Sequence, residues 1–232
     1  VKHFFITGTD TEIGKTFVTC GLLLALRGKG IHAAPMKPIA AGAVMRGAAL
    51  ANEDVHDLVT VYGGPIEVSM VNPYCFQEPI APHIAAMHDG VAVDMRVIES
   101  AFTQLAASHD TVLVEGAGGF LVPLSNTESM SALPQRLGLE VLLVVGMRLG
   151  CLNHALLTAE AIRARGLRLA GWVANTVDAS MSCFDENVES LTQRLGAACL
   201  GVVPRIAEQN LVARATATAS HLNIEPLLVA TV

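Results

Sequence analysis

Short, nearly continuous apolar runs alternate along the chain with segments whose apolar residues recur every three to four positions. Residues 3–7, 31–36, 111–115, 140–146, 168–175 and 199–203 predict six strands, with 68–76 a weaker seventh. Such runs lack polar alternation, as suits parallel strands covered on both faces. Between them the period is helical: Ile98, Ala101, Phe102 and Leu105 share one face, and so do Phe184, Val188, Leu191 and Leu195. Strand–helix alternation without a fixed repeat or a Pro/Ser-rich linker predicts one three-layer α/β domain over residues 1–232, with a mostly parallel sheet. Ligands of such sheets bind beyond the carboxyl ends of the strands. The unusual polar residues fall there: the loop after Thr7, Lys37, Glu115 and Asn175.

The first strand runs into Gly8-Thr-Asp-Thr-Glu-Ile-Gly14-Lys15-Thr16, which opens a helix over residues 15–27. A phosphate-binding loop needs small residues that let successive backbone N–H groups face phosphate oxygens. It also needs a helix N-terminus, a lysine for the β/γ-phosphates and a hydroxyl for a magnesium ion. All are present here. One feature departs from the common pattern: five residues separate Gly8 from Gly14 instead of four, and Thr9 stands where the first loop glycine is usual.

Three further residues carry candidate chemistry. Lys37, between Met36 and Pro38, could aim its ammonium into a phosphate site or simply be solvated at a loop mouth. Glu115, ahead of Gly-Ala-Gly-Gly119, holds the position of a metal-side acid, although Asp is commoner there. Asp54, read on sequence alone, is better explained as an N-terminal cap for the helix near residues 55–62 than as a ligand. The eight histidines show no ligand pairing, and His83 and His154 read as polar groups satisfied locally. Neither a Ser–His–Asp set nor GxSxG occurs, so catalysis would rest on lysines, a metal ion and phosphate chemistry.

Composition narrows the possibilities. With 232 residues, 52% of them apolar and 16% charged, the chain can bury a sizeable core, which excludes disorder. A formal net charge of -6 argues against a surface built for nucleic acid or an anionic membrane. The longest stretch free of Asp, Glu, Lys and Arg, residues 116–127, is too short and too broken by Gly and Pro to span a bilayer. The N-terminus does not read as a signal peptide. Five cysteines form no CxxC pair and predict small buried hydrophobes in a reducing cytoplasm.

Taken together, GTDTEIGKT (8–16), Lys37-Pro38, Asn72-Pro-Tyr74 with Pro82-His83, VEGAGG (114–119), GCLNHALLT (150–158) and GWVAN (171–175) resemble the motifs of the dethiobiotin synthetases. The resemblance runs to about Glu208, and that family shares the longer loop. It implies a P-loop fold with a seven-stranded parallel sheet and a homodimer with active sites at the subunit interface. The implied reaction is ATP-dependent carboxylation and ring closure of 7,8-diaminopelargonic acid with CO2. Lys15 and Lys37 would be catalytic, and Thr16, Asp54 and Glu115 would hold Mg2+. Glu12, Ile13, Gly14, Lys15, Thr16 and Phe17 would wrap the phosphates, with Asn175, Pro204, Arg205 and Ile206 at the adenine. Thr11, Lys37, Ala41 and Gly118 would face the diamine, and backbone N–H groups of Cys151, Leu152 and Asn153 of the other subunit would take its carboxylate.

Two positions depart from that family. Ala41 stands where a serine is usual, and near Leu211 the usual ribose-binding acid is missing, Glu208 being the nearest. Partitioning ATPases share the fold but carry a lysine early in the loop, where this chain has Asp10 and Thr11. The cobyrinic acid amidase-ligases need a glutamine-hydrolysing domain for which 232 residues leave no room. A divergent paralogue acting on a related diamine is the remaining alternative.

Overall fold

In the computed structural model, which describes residues 2–47 and 49–229, six strands form the central sheet. They are β1 (Phe4–Gly8), β2 (Ala33–Met36), β3 (Thr111–Gly119), β4 (Glu140–Met147), β5 (Leu169–Thr176) and β6 (Ala198–Val203). The spatial order is β6-β5-β4-β1-β3-β2, and every pairing is parallel. β1 is flanked by β3 and β4, so the chain winds outward in one direction through β2 and in the other through β5 and β6. Such a reversal opens a crevice at the strands' carboxyl ends.

The apolar runs are continuous because each strand feeds two cores. Phe5, Val112, Val114, Leu143 and Val145 point to one face, where α3 (Met95–Ser108), α4 (Cys151–Ala164) and α5 (Phe184–Arg194) pack. Phe4, Ile6, Leu113, Leu142 and Val144 point to the other, under α1 (Lys15–Gly28), α2 (Glu53–Tyr62) and α6 (Leu211–Ser220). The second layer positions the site. A Cβ on Gly21 would lie 2.6 Å from Thr218 Cγ2, so α1 and α6 approach closely. Four residues earlier on each helix, the Arg214 guanidinium covers the Phe17 ring at 5.4 Å. The two helices are therefore parallel. At the other end Arg27 Nη1 of α1 donates to the Tyr62 carbonyl of α2 at 3.4 Å, and at the near end Arg214 meets Asp57 of α2. The N-termini of all three helices thus lie together.

The seventh strand is not part of this sheet. Residues 68–76 form a short helix, Val68–Val71, and a two-residue strand, Tyr74–Cys75, paired with Ile39–Ala40 in a separate ribbon. The reason is local. Asn72 Nδ2 donates to the carbonyls of Lys37 (2.6 Å) and Tyr74 (2.9 Å), and the Lys37 N–H donates to Val71 O at 2.8 Å. These bonds fold the segment under the loop after β2 instead of extending it along the sheet.

The cysteines also differ in part from expectation. All five are free thiols, and Cys20 and Cys151 are buried, but Cys183 is exposed. Among the described residues no helix is long and apolar enough to cross a membrane.

Candidate active site

The phosphate loop leaves β1 at the crevice. The Thr9 N–H donates to Val144 O at 3.1 Å, and Thr9 Oγ1 accepts the Gly146 N–H at 3.3 Å. Thr9 thus keeps following β4, which accommodates the longer spacing before the turn begins. The turn is made by left-handed backbone at Glu12 (φ 56°) and Gly14 (φ 81°). A Cβ at Gly14 would collide with Asn175 Nδ2. That amide nitrogen instead donates to Ile13 O at 2.8 Å and clamps the loop to the end of β5. Lys15 Nζ folds back to donate to Asp10 O at 2.8 Å. Burial lowers its pKa to about 8, against the opposing pull of Glu115.

Beside the loop lies a compact charge cluster. Glu115 is fully buried in β3, and its Oε1 accepts from Lys37 Nζ at 2.7 Å and from the Thr16 hydroxyl at 2.6 Å. Lys37 Nζ also donates to Asp54 Oδ2. Burial alone would lower the Lys37 ammonium, but Glu115 and Asp54 outweigh it and raise its pKa. For Asp54, burial would raise the carboxyl, while Lys37 and the Thr16 hydroxyl hold it below the ordinary carboxylate range. The cap of α2 is not Asp54 but Asn52, whose Oδ1 accepts the Val55 N–H. Asp54 is thereby left for the cluster.

A cavity of about 1060 Å³ opens over this cluster. Among the expected site residues, Thr11, Glu12, Gly14, Lys15, Thr16, Phe17, Lys37, Ala41, Asp54, Glu115 and Gly118 line it. Ile13 and Asn175 are buried behind the loop, and the exposed Pro204 and Arg205 and half-buried Ile206 do not line it. Cys151, Leu152 and Asn153 lie outside it as well. The expectation of three free amides at the start of α4 needs correction, because the Cys151 N–H donates to Arg148 O at 3.0 Å. His83 is not satisfied locally either; its Nδ1 is buried and unpartnered. Arg214, also on the cavity wall, is a residue the sequence reading missed.

The donor set suits a hydrated hard cation. Glu115 Oε2 is buried with no hydrogen-bond partner. An acceptor-only oxygen in that state is a place for positive charge. Asp54 and the Thr16 hydroxyl stand beside it. No group of three or more His, Cys, Asp and Glu side chains able to hold a metal occurs among the described residues. Two carboxylates and a hydroxyl match Mg2+, which keeps waters and shares substrate phosphates, better than a softer ion in an all-protein cage.

Parallel sheet, phosphate loop, paired lysines and buried acid define a P-loop nucleotide-binding enzyme. Solved structures agree on the fold. The MinD cell division protein of Aquifex aeolicus superposes with a TM-score of 0.56 at 16% identity, over 97% of this chain and 88% of its own. A ParA family ATPase from Chlorobium tepidum gives 0.54 at 14%, over 95% and 91%. A family model described as an AAA domain matches residues 2–211. The ATP-dependent dethiobiotin synthetase BioD of Aromatoleum aromaticum is 52% identical over 89% of this chain and 92% of its own. The protein of the same name from Cellvibrio japonicus is 48% identical over 98% of both. The chain belongs to the dethiobiotin synthetase family, ATP-dependent ligases of biotin biosynthesis.

The buried cluster makes a prediction about stability. Lys37→Met would leave Glu115 with a buried, uncompensated charge and should cost about 3–5 kcal/mol. Adding Glu115→Gln should recover a large part of that loss. Urea denaturation of the two single variants and the double variant measures the coupling, and strictly additive losses would contradict the pairing.

Proposed function

We propose that the chain, acting as one domain, carboxylates 7,8-diaminopelargonic acid with CO2 and closes the cyclic urea at the expense of ATP. The observation that carries this reading is a second lysine, Lys37, held between Glu115 and Asp54 on the wall of the phosphate-loop cavity. One phosphate-loop lysine suffices to bind a nucleotide. A second, placed among acids, suits a reaction in which an anionic acceptor must meet the γ-phosphate.

The chemistry then follows from known reactivity. One amine attacks CO2 and loses a proton, giving a carbamate. A carbamate oxygen attacks the γ-phosphorus and ADP leaves, so that a mixed carbamic–phosphoric anhydride forms. The second amine attacks the carbamoyl carbon, inorganic phosphate leaves with the C–O bond electrons, and a further proton is released as the ring closes. Lys15 and Lys37 gather the charge that moves onto the transferring group, and the loop amides from Glu12 to Phe17 fix the line of attack. Mg2+ held by Thr16, Asp54 and Glu115 would neutralise the β/γ-phosphate oxygens. Asn175 and residues 204–206 border the adenine, and Thr11, Ala41 and Gly118 face the diamine. We place the enzyme in the cytoplasm, which the free thiols support.

We further propose a homodimer in which the Leu152 and Asn153 amides at the start of α4 receive the substrate carboxylate of the neighbouring site. Two features support it: these residues lie outside their own chain's cavity, and Leu149, just before them, is 96% exposed.

The direct test is ADP release by the purified protein from ATP with Mg2+, the diamine and bicarbonate. Turnover should need all of them. A slow ATPase indifferent to the diamine would favour a switch protein instead. Mixing a Lys37→Ala chain with a Leu152→Trp chain should restore activity through hybrid dimers that retain one intact site; no recovery after demonstrated subunit exchange would exclude a shared site. Ala41 lines the cavity, and its carbonyl accepts from Asn52 Nδ2 at 3.0 Å. A serine there adds one hydrogen bond to the substrate, so Ala41→Ser should lower the KM for the diamine by roughly two- to tenfold and leave ATP binding unchanged. An unchanged KM would show that no substrate atom reaches that position.

A further inference from the structure

Three cations line the nucleotide cavity, and two of them are engaged by the protein. Lys15 donates to the Asp10 carbonyl, and Lys37 to Asp54 and Glu115. Arg214 differs. Its Nη2 stands 3.8 Å from Asp57 Oδ2, too far for a hydrogen bond, and its Nε is buried without a partner. Among the described residues its guanidinium donates no hydrogen bond. Burial leaves the Nε donor without a partner, which is costly, while the η nitrogens remain open to the cavity.

The group is nevertheless held in place. Its carbon lies 5.4 Å from the centroid of the Phe17 ring, and the close contact of Gly21 with Thr218 fixes α6 against α1 one turn further on. Stacking and the charge of Asp57 orient a guanidinium whose donors remain free. Phe17 directly follows Thr16, so Arg214 covers the start of the helix that the phosphate loop opens, on the wall of the same cavity. In a phosphate loop the lysine reaches the β/γ-phosphates, and the backbone at the helix start faces the α- and β-phosphates.

We propose that Arg214 is a nucleotide-binding residue whose guanidinium takes oxygens of the phosphate nearest the ribose. This rests on the nucleotide reading of the cavity given above. The assignment also explains how an acidic site grips the part of the nucleotide that is not transferred. Lys37 and Glu115 serve the reacting end, and Arg214 holds the stationary end as a planar fork suited to phosphate. It acts equally on substrate and transition state, so it affects binding more than rate.

Calorimetric titration of the purified full chain with ADP, AMP and adenosine tests the assignment on wild type, Arg214→Met and Arg214→Lys. Arg214→Met retains an apolar stem against Phe17 and should weaken ADP and AMP roughly ten- to hundredfold, with adenosine unchanged. Arg214→Lys, which keeps the charge but not the fork, should fall between and remains informative if the methionine variant does not fold. In turnover the KM for ATP should rise with kcat within about threefold of wild type. ADP affinities within about twofold of wild type in both variants would overturn the assignment, and so would an equal loss for adenosine. Wild-type protein that bound no ADP would overturn the nucleotide reading itself and this inference with it.

Discussion

A carboxylate buried in the middle of a parallel sheet is the constraint around which the rest of the site is arranged. Glu115 is fully inaccessible, with Ile6 as its neighbour across the ladder. An ionised group there is tolerable only when countered by charge and hydrogen bonds. Lys37 and Thr16 supply both to one oxygen. Fixing Lys37 in turn requires the loop after β2 to be held, which Val71, Asn72 and Tyr74 do through the main chain of residues 37 and 38. The small Ile39–Ala40 ribbon, the short helix before it in space and the placing of α2 by its Asn52 cap all follow from that need.

Much of this was legible along the chain because it is local. The six strands are long apolar runs, and the phosphate loop is a contiguous motif whose chemistry depends on spacing. What was not legible arises from contacts between distant residues. Residues 68–76 are apolar enough to read as a strand, but Asn72 spends its amide on the carbonyls of Lys37 and Tyr74 and turns the segment away. Asn175 was legible as a polar residue at a strand end, but its clamp on Ile13, far away in sequence, was not. Nothing near Arg214 in sequence marks it, since it reaches the cavity through the packing of α6 on α1, far downstream of the loop. The only clue was that it is the sole basic residue in the tail after Asn210.

The acidic balance of the chain, -6, coexists with a ligand that carries several negative charges. Five carboxylates (Glu12, Glu53, Asp54, Asp57, Glu115) line the cavity against three cations. A bare polyphosphate would therefore meet net repulsion from side chains. Two features reverse it. The N-termini of α1, α2 and α6 meet at the cavity and add their partial positive charges. A divalent ion on Glu115 and Asp54 would convert two of those carboxylates from obstacles into ligands. Such an ion would favour polyphosphate accompanied by a hard cation over polyphosphate alone.

The likeness to MinD and ParA structures shows how little of the function resides in the sheet. Those chains share the fold at 14–16% identity, and the fold supplies only the crevice and the helix termini. What distinguishes this chain is where its second lysine comes from. Partitioning ATPases usually place it early in the phosphate loop. Here that position is taken by Asp10 and Thr11, and the Asp10 carboxylate is drawn to Arg148. The ammonium comes instead from β2, through Lys37, on the wall shared with Ala41 and Gly118. On the proposed reading, a lysine entering from that side would face the transferring phosphate and the second reactant.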